Sequence, residues 1–178
     1  MINDFDTHAI TKTARIGFLA ACTEKVKHHF ASHTATLGSI EKLTGEVWSW
    51  LSSRKPTCSE IYWGNNPKLM EQELLYHKTP VLLKAFHAVL NMHYYTLEKM
   101  FVTEYFESGG IEPSVGGDVF EVDETYFFNC VNGCIALSKD PAATQSWAEK
   151  TIARLQKEHM TANEDDHGRP VDMKYFQE

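Results

Sequence analysis

Basic charge is scarce in this chain. Its 178 residues carry 17 Lys and Arg against 24 Asp and Glu, a formal net charge of −7. Nucleic-acid binding needs a concentrated basic surface to displace counterions, so nucleic acid is not an expected partner. An acidic surplus suits a basic partner, or simply solubility. Long apolar runs are also missing: none approaches 18 residues, so no membrane span is expected. Cysteine is sparse. Cys22, Cys58, Cys130 and Cys134 form no C-x-x-C pair, and three of them sit in apolar helical patterns, where free cysteine packs as a small hydrophobe. The opening MINDFDTHAITKTARIGF has no basic segment ahead of an apolar one and does not read as a signal peptide. A reduced, cytoplasmic protein is the expectation. Catalytic signatures are lacking too: there is no H-E-x-x-H, no G-x-S-x-G and no G-K-[ST] loop ending.

What is present is apolar residue at helical spacing. Hydrophobic residues make up 43% and aromatics 12% of the chain, enough for a core without staples. The pattern predicts a single all-α domain over residues 1–178, a bundle of about six helices. Ile16, Leu19, Thr23, Val26 and Phe30 define a first helix from about Asp6 to about His33. Ile40, Leu43, Val47, Trp50 and Leu51 stripe a second, from about Ser39 to Ser53. A short turn capped by Thr57 or Ser59 and closed by Gly64-Asn65-Asn66-Pro67 then precedes a short helix after Pro67.

Thr79-Pro80 is a cap followed by proline at the first helical position. The helix it opens runs to Glu107, roughly 40 Å at 1.5 Å per residue. It is apolar on two faces, one with Leu83, Phe86, Leu90, His93, Leu97, Met100 and Phe101, the other with Ala88, Met92, Tyr95, Val102 and Phe106. Such a helix is central in its domain or completed by a partner; central placement is the expectation. Residues 109–124 read as a loop, with VFEV as a brief extended piece. Asp123 caps the next helix and Asp140-Pro141 opens the last, which ends near His159. Residues 160–178 form a polar tail docked by Tyr175 and Phe176.

Trp48 and Trp50 lie two apart, so they cannot share a helical face. Trp50 belongs to the core stripe. Trp48 is a flank residue under a neighbouring helix, the long two-faced one being the expected cover, or an exposed anchor. The loop-like stretch holds Glu112, Asp118, Glu121, Asp123 and Glu124, which solvate a flexible loop or dock a basic partner. With Trp48 and Trp63 they make the partner-binding candidates.

His28, His29 and His33 cluster, and His29 and His33 share a face, but a zinc site needs a third protein ligand. No metal, cofactor or catalytic residue is assigned. Cys130 and Cys134 share a helical face among apolar neighbours and read as core. His93 on the apolar stripe reads as a buried core residue. Two other readings stay open. One is a helical metal-dependent hydrolase using His29, His33 and His87 or His93. The other is an adaptor that dimerises through the second apolar face of the long helix.

Three segments carry a resemblance. Leu19-Ala20 with Glu24-Lys25, then Trp48-Ser49-Trp50-Leu51, then Glu60-Ile61-Tyr62 resemble the all-helical immunity proteins of bacterial polymorphic toxin systems, specifically family six in that classification. The resemblance spans roughly the first 105 residues and rests on packing residues, so it carries over no inhibitory residue. It implies a non-enzymatic protein that neutralises a cognate toxin domain by stoichiometric binding. With the acidic balance, the implied toxin is basic and acts in the cytosol.

Overall fold

The computed structural model describes residues 1–2, 5–163 and 166–177. Six α-helices make the fold, and no strand occurs among these residues: α1 Lys12–Glu24, α2 Thr34–Ser53, α3 Cys58–Leu75, α4 Pro80–Glu107, α5 Glu124–Leu137 and α6 Pro141–Glu158. Single 3-10 turns lie at Thr7–Ala9, Lys27–Phe30, Gly117–Glu121 and Met173–Phe176. The chain is an all-α bundle.

α4 is the axis. It packs on α1, α2, α3 and, most extensively, α5. Its second apolar face is covered within the chain along its first half, where Ala88, Met92 and Tyr95 are buried, but not at its end, where Val102 is half-buried and Phe106 is exposed. A side-chain carbon on Gly133 of α5 would stand 3.2 Å from the Ala88 Cβ, so α5 approaches α4 closely there. α1 is a second buried rod. Every residue from Lys12 to Thr23 is buried, because Ala14, Gly17, Ala20 and Ala21 let neighbours approach on the sides away from the apolar stripe.

Several boundaries differ from the sequence expectation. α1 begins at Lys12 and not near Asp6, where Thr7–Ala9 makes its own 3-10 turn, and α2 begins at Thr34, five residues before the expected Ser39. The first helix stops at Glu24, and Lys27–Phe30 is a separate 3-10 turn. A histidine ring nitrogen of His28 takes the Lys25 carbonyl at 3.1 Å, the group that a continuing helix would offer to the His29 N–H, and that N–H bonds Val26 instead. α3 runs unbroken through Pro67. The carbonyl that Pro67 leaves without a donor belongs to Trp63, and both residues are exposed, so the missing bond falls on the solvent side of the helix. The Thr57–Glu60 capping box starts this helix. VFEV is not extended; it lies largely within the 3-10 turn Gly117–Glu121.

Trp50 is fully buried and donates to Glu104 Oε1 at 2.7 Å. The same oxygen accepts the Cys58 N–H, at the start of α3, at 2.8 Å. One carboxylate thus ties α2, α3 and α4. Glu104→Ala leaves two donors without a partner and should cost about 3 kcal/mol in urea unfolding, since bonds to charged groups contribute about 1.5–3 kcal/mol each. Glu104→Gln keeps an acceptor oxygen and should lose roughly half as much.

Trp48 is half-buried, but its cover is not the long helix. It packs on Phe176, ring centroids 5.8 Å apart, and beside Gly17. Phe176 is buried and also sits 6.4 Å from Phe18. Any side-chain carbon on Gly17 would lie 2.9 Å from the Phe176 ring, so glycine there makes the slot for it. The turn Met173–Phe176 is held further by Trp147 Nε1 donating to the Phe176 carbonyl at 3.2 Å and by Arg154 bonding the Tyr175 carbonyl.

Candidate interaction surface

The segment after α4 is built, not loose. α4 ends where Gly109 and Gly110 take φ of +75° and +97°, a conformation that favours glycine. Ser108 Oγ then brackets Ile111, accepting its N–H and donating to its carbonyl, both at 3.0 Å. Two aromatics of α3 pin the residues beyond Ile111. Trp63 Nε1 donates to the Ser114 carbonyl at 3.0 Å, and Tyr62 Oη donates to Asp118 at 2.9 Å. Tyr62 passes so close to the backbone that a side-chain carbon on Gly116 would lie 2.0 Å from its hydroxyl. Burial, then the bond to Asp118, raises the Tyr62 phenol above its ordinary pKa. Val119 is buried, and Phe120 meets Phe101 edge-on at 4.9 Å. The expected flexible acidic loop is instead a clamped one.

The clamp leaves a row of large apolar groups facing water. Trp63 is 58%, Phe106 57%, Ile111 72% and Phe120 59% exposed. Glu112 and Glu121 are exposed on the same segment. Singly exposed apolar residues need no explanation, but four of them on or against one pinned segment that also carries exposed carboxylates make this segment the candidate interaction surface.

The sequence candidates divide. Glu112, Asp118, Glu121 and Trp63 come together on this segment. Asp123 caps α5, accepting the Thr125 N–H at 2.9 Å, and bonds from the Thr125 hydroxyl and amide hold its carboxyl below the usual range. Glu124 turns inward. Its Oε2 accepts from Thr7 at 2.5 Å and from Tyr95 at 3.0 Å, and its Oε1 lies 3.5 Å from the Arg15 guanidinium and 3.4 Å from Lys99. Trp48 packs with Gly17 and Phe176, away from these contacts. Sequence reasoning misses Phe106, Ile111 and Phe120 as part of the surface. Helical spacing puts Phe106 on an inner face, and the two others sit in a stretch whose composition draws attention only to its charge.

The histidines that a metal-dependent hydrolase would use are spread over separate contacts or buried. His29 Nε2 contacts the Leu137 carbonyl at the end of α5 at 2.7 Å, and the His28 ring lies tilted against the His29 ring, centroids 4.1 Å apart. Burial and the neighbouring His29 hold the His28 ring below its ordinary pKa. His33 packs edge-on against Tyr76, and His87 pairs with Glu73 at 2.8 Å. His93 is buried in α4. Among the described residues no group of three His, Cys, Asp or Glu is placed to hold a metal ion. Cys22, Cys130 and Cys134 are buried, and burial pushes the Cys22 and Cys130 thiols well up, away from the reactive thiolate. No helix among the described residues is long and apolar enough to cross a membrane.

Comparison of the chain with protein-family models, with curated proteins and with solved structures finds no match.

Proposed function

We propose that this protein acts by binding and not by catalysis: it is an immunity protein that neutralises a basic toxin domain by stoichiometric occlusion in the cytosol. The observation that carries the reading is the clamped acidic–aromatic surface of residues 106–121 with Trp63. Rigid exposed aromatics are the usual anchors of an interface, and preorganisation lowers the ordering cost of binding. Surrounding carboxylates complement a basic cleft and speed the encounter. The resemblance of the first 105 residues to immunity proteins supplies the toxin as the partner class.

Glu112 and Glu121 are the residues to reverse, because Asp118 and Asp123 hold the fold locally. Glu112→Lys with Glu121→Lys should slow association about tenfold at low salt and much less at high salt, with the urea midpoint unchanged. Trp63→Ala should act mainly on dissociation, raising it about tenfold or more. The test starts from the product of the neighbouring gene. That product should arrest growth of a laboratory bacterium, and co-expression of this chain should restore growth and yield a complex. No toxicity and no complex would remove the reading.

A further inference from the structure

The two ends of α4 carry opposite charge. The C-terminal end belongs to the acidic surface described above. From Met100 to Ser138 the sequence holds seven Asp or Glu and no Lys or Arg. The N-terminal end is the corner where α3 gives way to α4. From Leu74 to Leu97 there is no Asp or Glu at all. The start of α2 packs on this corner: the Thr36 and Tyr76 hydroxyls lie 2.6 Å apart, and the His33 ring is 5.4 Å from that of Tyr76. It too belongs to an acid-free stretch, Lys25 to Ile40. Lys78 and Lys84 are exposed at the corner and pair with no carboxylate among the described residues. Glu73, just before it, is taken by His87 at 2.8 Å, and Glu71 lies a turn earlier in α3.

Exposed apolar groups gather at the same two ends. Ten large apolar side chains are exposed among the described residues, and seven of them fall here. Trp63, Phe106, Ile111 and Phe120 are on the acidic end. Leu74 and Leu75, each exposed by two thirds or more, and Val81, exposed by half, are on the basic corner. Val81 and Phe106 are separated by roughly 38 Å of helix at 1.5 Å per residue, so one copy cannot bring its own ends together.

We infer that the two ends bind each other between copies of this chain. The Leu74–Leu75–Val81 corner of one copy seats on the Trp63, Phe106, Ile111 and Phe120 surface of the next, with Lys78 and Lys84 facing Glu112 and Glu121. A second copy supplies both the opposite charge and the apolar partner, and one contact covers both patches. At physiological ionic strength the screening length is about 8 Å, so charges at the contact outweigh the net charge of −7 on the whole chain. The contact is small and belongs to the weak, transient class, with a Kd in the range of roughly 10–1,000 μM. It is head-to-tail, and every pair still presents one free end of each kind, so association does not stop at a dimer. The inference shares the acidic surface with the toxin-binding reading but not the partner, and no toxin enters its test.

The test is sedimentation of the full chain from about 10 μM to about 1 mM at physiological ionic strength. The weight-average mass should rise with concentration and pass that of a dimer. Leu74→Ser with Leu75→Ser should weaken association about tenfold. Lys78→Glu with Lys84→Glu, and separately Glu112→Lys with Glu121→Lys, should each give a monomer with the urea midpoint unchanged. The second pair lowers the net negative charge of the chain, so general repulsion alone would make it associate more strongly, not less. An equimolar mixture of the two charge-reversed variants should associate again, because each end of one is complementary to the matching end of the other. A wild-type monomer at about 1 mM, association unaltered by either reversal, or a mixture that stays monomeric would each overturn the inference. So would a chain that stays monomeric and sediments instead with phosphatidylserine vesicles, which would assign the basic corner to a lipid surface.

Discussion

Lowering the pH from 7 to 4.5 should take about 3 kcal/mol from the stability of this protein through one side chain, and His93→Leu should abolish that share of the loss. His93 lies in the middle of α4 and is 1% exposed. Neither ring nitrogen has a hydrogen-bond partner within the protein, and the nearest ring is that of Tyr94, at 5.4 Å. Burial holds its pKa down from 6.5 to about 3; the charge of Asp118 pulls the other way and loses. The unfolded chain takes up a proton near 6.5, whereas the folded one resists until about 3. The unfolded state therefore binds more protons across that window, and stability falls as pH falls through it. At about 1.4 kcal/mol per pH unit, the loss is about 3 kcal/mol by pH 4.5 and about 4 kcal/mol near pH 3, where the folded-state ring begins to take up the proton. That is comparable to the whole stability of a small domain.

Burial also lowers the pKa values of His28, His159 and His167, with the same sign, so a smaller acid loss survives in the variant. Leucine replaces the ring with an apolar group of similar volume and removes two buried polar atoms, so no penalty is expected at pH 7. Urea unfolding at pH 7 and pH 4.5 decides it. An equal acid loss in His93→Leu would place the proton uptake elsewhere.

The place of His93 is legible in the sequence. It sits on the Leu90–Leu97 stripe, and helical spacing puts it in the core correctly. The same rule locates α4, α5 and α6 and the end of α2 to within a residue, helped by the cap-then-proline pairs at Thr79-Pro80 and Asp140-Pro141, but it misses the start of α2, which lies five residues earlier at Thr34. Spacing fails where a distant group decides. α1 ends early because the His28 ring captures a carbonyl, and Trp48 is covered by Phe176, which lies 128 positions away in sequence. Periodicity carries no information on such pairs. The acidic stretch fails in a more instructive way. Its five carboxylates look alike as a run of charge, yet two are exposed without a partner, Asp118 takes a tyrosine, Asp123 caps a helix, and Glu124 enters a buried network. Their roles are set by what α1, α3 and α4 bring against them.

Glu124→Gln should cost about 3–5 kcal/mol, and Arg15→Met clearly less, although the two residues face each other. The asymmetry comes from burial. Arg15 is 1% exposed, while Glu124 is 25% exposed. Arg15 Nη1 donates to Tyr95 Oη at 3.0 Å, its Nε has no partner, and the side chain, in the first turn of α1, is buried from water. Neutralising Glu124 strands that cation, the situation in which breaking a buried pair is most damaging. Removing Arg15 strands a carboxylate that still has Lys99 at 3.4 Å, Thr7 and Tyr95 as partners and retains access to solvent. Methionine also fills much of the space of the arginine stem, so little cavity penalty is added.

The double variant Arg15→Met with Glu124→Gln should be more stable than Glu124→Gln alone, because the stranded charge is gone. A double-mutant cycle read by urea unfolding at pH 7 measures this coupling. Equal costs for the two single variants, or a double variant less stable than both, would mean that the guanidinium is solvated in a way its surroundings do not provide. The outcome also bears on the interaction surface. If Glu124 holds α1, α4 and α5 together, its reversal weakens any partner by unfolding the chain. Reversal of Glu112 and Glu121 acts through the field at the surface alone, so binding loss from the first with preserved binding in the second would point to fold and not to contact.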